Sequence, residues 1–498
     1  MSETTRRTFL TRSAGAAAAL TLPPDLLKAL IDRPTAALGV LGQQLQGRVL
    51  TPSSPGWPEA VKLYNPRLTT TPRLIALCQK PQEVCDVVVY ARQNGLALAA
   101  RGGRHSFAGY SNAGGGIVAD VSAMRGISYD AASSTVLVGA GANVLDVYRD
   151  LVLTRGVWLP VGTCPTVGIA GLTLGGGFGR LMRRLGTTSD SLREATVVLA
   201  DGRVVVCNAS REPELFWALR GGGAGMGVVL SLRFAVQPAV SPIRFSVSYP
   251  WAQAAAGIDA WQRSMPQAPA DLAFGRFRAI KLPDGRLTAV ASGDWYGSAA
   301  ALNTLLGPLL AAGPASSNIR PISYQAAAEP DRTTRNPDGT VTADVLHDPN
   351  YQRSQFFDAP LSPAAIAALV AQVAAWPGGG PTAHEGGVQL DAMGGAINAV
   401  SSTATAFVHR SSLFHIAYLS FWGNGDGPAV AAADTQWVRD ISGAMRPSAS
   451  GAAYQNYIDP ELLTWEKAYY GTNLSRLRLA KQRYDARNAF RFAQGVAP

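Results

Sequence analysis

Two glycine-rich stretches, RGGRHSFAGYSNAGGG at residues 101–116 and GTCPTVGIAGLTLGGGFGRLMRRLG at 162–186, interrupt a region where short apolar strands alternate with helices. Glycine costs about 1 kcal/mol relative to alanine inside a helix and weakens strands, so these stretches read as loops. Backbone that bare can turn sharply and come close to a ligand. Successive uncovered N–H groups form nests for pyrophosphate oxygens. The familiar nucleotide patterns are nevertheless missing. No segment matches G-x-G-x-x-G strictly, and no Gly-Lys pair ends a P-loop. GYSNA falls one residue short of a serine-hydrolase elbow, and the five histidines lack H-x-x-x-H spacing, which argues against a zinc site. A nucleotide-like ligand is implied, held by neither a standard Rossmann loop nor a P-loop.

Around these loops the chain divides into blocks. After a Pro/Gly-rich lead-in, residues 60–238 read as PRLIALCQ (strand), KPQEVCDVVVYARQNG (amphipathic helix closed by Gly95) and LALAARGG (strand entering the first loop). GIVADVSAM and TVLVGAG follow as strands, NVLDVYRDLVLTRG as a helix, and EATVVLADGRVVVCNA as a hairpin turning at Asp-Gly. Residues 239–450 mix strands (IRFSVSYP, LTAVASGDWY, TATAFVHR, SLFHIAYLSFW) with Ala-rich helices such as SPAAIAALVAQVAAW, which predicts an antiparallel sheet with helices to one side. RTTRNPDGTVTADVLHDPN is polar and turn-rich and reads as a surface loop. Residues 451–498 carry aromatics and a basic helix.

Composition narrows the functional classes. The chain has 498 residues, 47% hydrophobic and 16% charged, enough for a large core. Its net charge of +10 is spread out, with a modest concentration in RLRLAKQRYDARNAFRF and no aromatic-interleaved basic motif, so nucleic acid is not an expected partner. No window approaches the ~18 apolar residues of a membrane span. Residues 1–40 contain TTRRTFLTRSAGAAAALTLPP, a basic start followed by a short Ala-rich stretch and prolines. That layout is a secretory signal with linker, and Arg6–Arg7 resemble the twin-arginine variant that exports folded proteins. Four cysteines (Cys78, Cys85, Cys164, Cys207) are too few for a disulfide scaffold. Cys85 and Cys207 read as core residues, with a Cys78–Cys85 bridge left open.

Four motifs, in order, carry a family resemblance: RGGRHSFAGYS, CPTVGIAGLTLGGGFGRL, ELFWALRGGGAGMGVV and the C-terminal YQNYID...AYYGTNLSRLRLAKQRYDARNAF. Together they resemble the berberine-bridge-enzyme-like flavoproteins, of the vanillyl-alcohol-oxidase type, from about residue 65 to the end. The resemblance implies an α+β fold. A two-part PCMH-type FAD-binding domain (60–238 completed by 451–498) would carry an antiparallel-sheet substrate cap (239–450). It also implies FAD bonded twice, through His105 and through Cys164. Arg101, Gly102, Gly103, Arg104, His105 and Ser106 of the first loop would contact the cofactor. So would Gly162, Thr163, Cys164, Val167, Gly168, Gly171, Thr173, Gly175, Gly176 and Gly177 of the second, with Gly227, Val228, Asn456 and Asn473. Two departures stand out: Arg104 where many relatives have glycine, and Gly225-Met226-Gly227 where many show Asn-Phe-Gly.

Relatives use a tyrosine of the YQNYID motif to take the substrate hydroxyl proton while hydride moves to the flavin, and differ in which one acts; Tyr454 and Tyr457 are both candidates, with Tyr454 preferred. In an extended segment Tyr454 and Asn456 share a face and Tyr457 points away. Gln389 and Asp391 in GGVQLDAMGGAI would share the cap face over the flavin. A structurally paired Asp391 is an equal alternative, and His409 and His415 read as sheet residues rather than bases. Val167 matches the position that gates oxygen, and a modest side chain there resembles the oxidases. The expected reaction is oxidation of an alcohol or hemiacetal, such as a carbohydrate or glycosylated metabolite, with molecular oxygen returning the flavin to its oxidised state and leaving as hydrogen peroxide. Two rival readings are a dehydrogenase with another electron acceptor and a flavin-binding protein without turnover. Oligomeric state is left open.

Overall fold

The computed structural model describes residues 38–498 apart from 339, 344–346, 379 and 381–382; the expected export signal lies outside the described residues. Strands Leu74–Leu77, Ile117–Asp120 and Leu98–Arg101 form a parallel sheet, extended by the short antiparallel strand Val49–Leu50. Helix Pro81–Gln93 covers it, its Val84, Val87, Val88 and Ala91 buried, and the chain turns at Gly95 with φ +63°. A second sheet is wholly antiparallel, in the order Ile127–Asp130, Thr135–Gly139, Val228–Ala235, Leu192–Val198, Val204–Asn208. The last two strands are the hairpin anticipated at Asp201-Gly202. Cys78 and Cys85 are separate, buried free thiols, so the bridge left open between them is not formed.

The third sheet has seven antiparallel strands, in the order Ser316–Pro321, Ile243–Tyr249, Leu287–Trp295, Leu272–Lys281, Glu385–Ala392, Phe414–Phe421, Asn350–Phe357. Alternation along these strands sorts their side chains. Phe277, Ala279, Val388, Leu390, Ile416 and Tyr418 pack with Trp261, Leu306, Leu369 and Ile441 of helices Ala254–Ser264, Ala299–Ala311, Pro363–Ala374 and Pro428–Met445. Their neighbours Arg276, Arg278, Gln389 and Asp391 take the opposite face and line a cavity. The sheet therefore has a dry side and a chemical side. The C-terminal segment returns to the first region: Leu98 N–H donates to Ala489 O (3.0 Å), and buried Lys481 donates to Gly225 O (2.8 Å) and Phe490 O (2.9 Å).

Two expected elements differ. TATAFVHR forms turns rather than a strand, because its backbone donors are taken elsewhere: Ala406 N–H donates to Trp217 O (3.3 Å) and Phe407 N–H to Arg220 O (3.0 Å), at the end of helix Pro213–Ala218. The polar stretch after Pro330 contains a small hairpin, Thr333–Arg335 with Val341–Ala343. It is anchored where the Arg149 guanidinium donates to the carbonyl of buried Val341. Asp331 and Arg332, just before it, line the cavity, where Asp331 N–H donates to Thr163 O (2.7 Å).

Arg183, fully buried near the end of the second glycine-rich stretch, joins it to the seven-stranded sheet. Its guanidinium donates to the carbonyls of Leu272 (3.0 Å), Pro266 (3.1 Å), Ala268 and Met393. No carboxylate pairs with it among the described residues. Burial lowers its pKa to about 10, so it stays charged at neutral pH. Hydrogen bonds from a charged donor are each worth about 1.5–3 kcal/mol, and buried carbonyls left bare cost about as much. Arg183→Met should destabilise the protein by on the order of 3 kcal/mol or more. Chemical denaturation of the two proteins side by side measures this, and an unchanged midpoint would contradict the bridging role.

Candidate active site

A cavity of about 830 Å³ is lined by both glycine loops, the chemical side of the seven-stranded sheet and the C-terminal segment. The first loop is held from behind. Buried Arg101 donates to Asp120 Oδ2 (3.0 and 2.7 Å) and to Asn112 Oδ1 (2.6 Å), and Asn112 donates to Val61 O (2.8 Å) and Thr70 O (3.1 Å). Arg104 sits at φ +64°, the left-handed region that glycine enters without strain, which accounts physically for the glycine carried by many relatives there. Its carbonyl accepts from Tyr64 N–H (3.1 Å) and its guanidinium donates to Glu59 O (3.2 Å).

The two loops meet backbone to backbone. A Cβ on Gly103 would stand 2.3 Å from Gly168 N and 2.7 Å from Thr166 O, so no other residue fits. Beside this contact, His105 places Nε2 2.7 Å from the Thr166 hydroxyl and stacks on Tyr64 with ring centroids 3.9 Å apart. Burial, with nearby His347 adding to it, lowers the His105 pKa to about 3, so the imidazole is neutral and a lone pair is available. Cys164 also lines the cavity as a free thiol. Burial raises its pKa, opposed by hydrogen bonds from the Thr166 backbone N–H and hydroxyl.

Gly102, Ser106, Gly162, Thr163, Val167, Gly168, Gly171, Gly227 and Asn456 line the same cavity. Thr173, Gly175, Gly176, Gly177, Val228 and Asn473 are not among its lining residues. The Thr173 hydroxyl donates to Ile169 O (2.7 Å), Gly176 packs on Phe407, and buried Asn473 donates to Ser402 O (2.7 Å) and Thr405 O (3.2 Å). These six support the wall from behind.

Gln455–Tyr457 is one 3-10 turn, not an extended segment, and in that geometry residues three apart eclipse. Tyr454 and Tyr457 therefore lie on one side, ring centroids 5.1 Å apart, and both line the cavity, contrary to the strand-based expectation. Their settings differ. Tyr454 is 1% exposed and stacks on Phe178 at 4.1 Å; its hydroxyl accepts from Gly177 N–H (3.0 Å) and Asn456 Nδ2 (2.9 Å). Burial raises its pKa far above the ordinary tyrosine value. Tyr457 is less covered and feels the charges of Asp391, Arg276 and Cys164. Burial first and then Asp391 push its pKa up to about 12, against the opposing pull of Arg276.

Gln389 and Asp391 share a face as anticipated. Gln389 Nε2 donates to Asp391 Oδ2 (2.9 Å), and Arg276 Nε donates to Asp391 Oδ1 (2.7 Å). Two further pairs, Arg278 with Glu385 (2.5 Å) and Arg180 with Asp331, complete this wall. Residue-by-residue reading missed Arg276 and Arg278, although charges at alternate positions of apolar LAFGRFRAIK were a usable signal. Asp331 had none. His415 lies on a central strand, opposite Asp391 in register, while His409 stacks on Phe356 at 4.2 Å in the turn region. Burial lowers their pKa values to about 4 and about 3.

These residues fit FAD. The walls leave a glycine-lined channel, and buried Ser111 Oγ, Gln455 Oε1, Arg180 Nε and Arg278 Nε line the cavity without hydrogen-bond partners among the described residues. Such atoms suit a ligand rich in oxygens and ring nitrogens. Gly103→Ala must push the loops apart, since backbone atoms cannot yield as a side-chain tip can. The purified variant should lose most of its flavin absorbance per protein, and retention of the wild-type ratio would contradict the contact.

The sequence matches the family described as FAD binding domain over residues 72–208 and the family described as berberine and berberine like over 453–497. FAD-linked oxidoreductase YgaK of Bacillus subtilis (strain 168) is 32% identical over 461 residues, 91% of this chain and 98% of that protein. A chitooligosaccharide oxidase of Gibberella zeae is 28% identical over 458 residues, 89% of this chain and 91% of its own length. Wild-type Phl p 4, described as a glucose dehydrogenase, superposes with a TM-score of 0.81 at 25% identity, covering 93% of this chain and 99% of that one. Its isoleucine-to-valine variant, described as a glucose oxidase, superposes at 0.80 and 26% identity over 93% and 99%. The chain is thus a berberine-bridge-like FAD-linked oxidoreductase, an enzyme of the PCMH-type FAD-binding family.

Proposed function

We propose that the enzyme oxidises a hydroxyl-bearing carbon of a neutral, polyhydroxylated substrate, an alcohol or sugar hemiacetal, with FAD bonded to His105 and Cys164 and dioxygen as the electron acceptor. One observation carries the substrate class: the wall facing the anchor residues carries three self-neutralised pairs, Arg276–Asp391, Arg278–Glu385 and Arg180–Asp331, with Arg332 a further cation beside them. Such a wall offers many donors and acceptors but little net charge, which suits hydroxyl groups better than carboxylates or phosphates. The names of the chitooligosaccharide oxidase and of the Phl p 4 enzymes agree with it.

FAD, when bound, supplies the hydride acceptor and hands the electron pair on. The protein's part is to orient the substrate, exclude water and take the hydroxyl proton. We assign the proton to Tyr457 rather than Tyr454, because the Tyr454 hydroxyl is already saturated by Gly177 and Asn456 behind the Phe178 ring. Arg276 favours the Tyr457 phenolate, and Gln389 with Asp391 keeps that arginine aligned. A Cys164 converted to a thioether cannot ionise, which removes one influence that raises the Tyr457 pKa at alkaline pH. Export through a twin-arginine-type signal belongs to the same reading, since that route carries proteins already folded around their cofactor.

Val167 lines the cavity near Cys164 and supports dioxygen as acceptor. An isoleucine-to-valine change separates the Phl p 4 glucose oxidase from the wild-type glucose dehydrogenase. The wild-type name keeps a second reading in play: a dehydrogenase that passes electrons to a quinone or protein.

Tyr457→Phe should slow flavin reduction by about 10²–10⁴-fold, the usual worth of a general base, with a much smaller loss for Tyr454→Phe. The base works deprotonated and its pKa is raised, so the reduction rate should climb with pH through the alkaline range. Arg276→Met should push that climb to still higher pH. Rapid mixing with a carbohydrate panel at several pH values measures both; a pH-independent rate, or equal losses for the two tyrosines, contradicts the assignment. Reduced enzyme mixed with air should regain its oxidised spectrum quickly and release peroxide, more slowly in Val167→Leu. Return of the spectrum only with a quinone would establish the dehydrogenase.

A further inference from the structure

Thr166 lies between the two proposed attachment residues, and the reaction just described leaves its side chain without a task. Its hydroxyl oxygen is 2.7 Å from His105 Nε2. Cys164 lies two residues earlier, in a turn closed by Val167 N–H to Cys164 O (3.3 Å), and the Thr166 hydroxyl and backbone N–H are the groups that oppose the burial-driven rise of its thiol pKa. A threonine hydroxyl has a single hydrogen. If that hydrogen goes to sulfur, the oxygen must accept from Nε2–H, and the His105 lone pair is then on Nδ1. Tyr64, stacked at 3.9 Å, keeps the imidazole from turning away.

We infer that Thr166 is a positioning residue for cofactor attachment, its one hydroxyl setting the tautomer of His105 and steadying the sulfur of Cys164 at the same time. The inference rests on the reading that both side chains bond to the flavin. Each attachment replaces one hydrogen on a flavin carbon and one on nitrogen or sulfur. The electron pair and both hydrogens pass to the oxidised ring and then to dioxygen, so each bond formed consumes one dioxygen and yields one hydrogen peroxide. At His105, bond formation through Nδ1 makes Nε2–H acidic, and the Thr166 oxygen is already placed to receive that hydrogen bond. At Cys164, burial disfavours the reactive thiolate, and the hydroxyl opposes that penalty.

The test is the time course of attachment in cells producing wild type, Thr166→Val, Thr166→Ala and Thr166→Ser. Acid-precipitated protein gives the fraction of flavin held covalently, and peptide masses show whether His105, Cys164 or both carry it. Thr166→Val should attach flavin at least ten-fold more slowly, with the Cys164 bond the more depleted, and Thr166→Ser should restore both bonds. Thr166→Ala, which adds no new methyl contact, must show the same deficit if the valine variant fails to fold. Doubly attached flavin at the wild-type rate in a folded Thr166→Val or Thr166→Ala overturns the inference alone. Wild-type protein without covalent flavin overturns the bicovalent reading, and the inference with it.

Discussion

The contact between Gly103 and the Thr166–Gly168 turn is the constraint on which the rest of the site depends. It is a packing of main chain on main chain, without a Cβ between, and it brings the loop bearing His105 against the loop bearing Cys164. The parallel strands fix one loop through Arg101 and Asp120. The other is tied down where Leu145 N–H donates to Pro165 O (2.9 Å) and Ile169 N–H to Ala142 O (2.9 Å). Neither loop has enough side chain to pack on its own account. Their order comes from the elements that flank them.

The seven-stranded sheet contributes through its two-residue period. One face gives its apolar side chains to four helices, which leaves the other face free to present charged groups. Arginines there are tolerable because each inner one has a carboxylate within reach. Arg183 is the exception: it is buried against carbonyls alone, and it fixes the spacing between sheet and loop. The depth of the cavity is thereby set by a cation that never touches it.

Much of this was legible in the sequence, for identifiable reasons. Elements whose stability is local, such as helix Pro81–Gln93 with Gly95 after it or the Asp201-Gly202 hairpin, announced themselves through periodicity and turn residues. His105 and Cys164 were singled out by the family resemblance of their motifs, and both line one cavity. What was lost depended on tertiary context. TATAFVHR has strand composition, but its amides were claimed by the carbonyls of Trp217 and Arg220. YQNYID was read with period 2, whereas a tight turn eclipses Tyr454 and Tyr457. Asp331 reaches the cavity through partners far away in sequence, its N–H donating to Thr163 O (2.7 Å) and its carboxylate pairing with Arg180.

The central claim is that an imidazole and a thiol hold one isoalloxazine between these loops. Unfolding purified wild type, His105→Ala, Cys164→Ala and the double variant in acid tests it directly. The account requires a yellow pellet from wild type and from each single variant, with all the colour in the supernatant only for the double variant. A colourless wild-type pellet would contradict it.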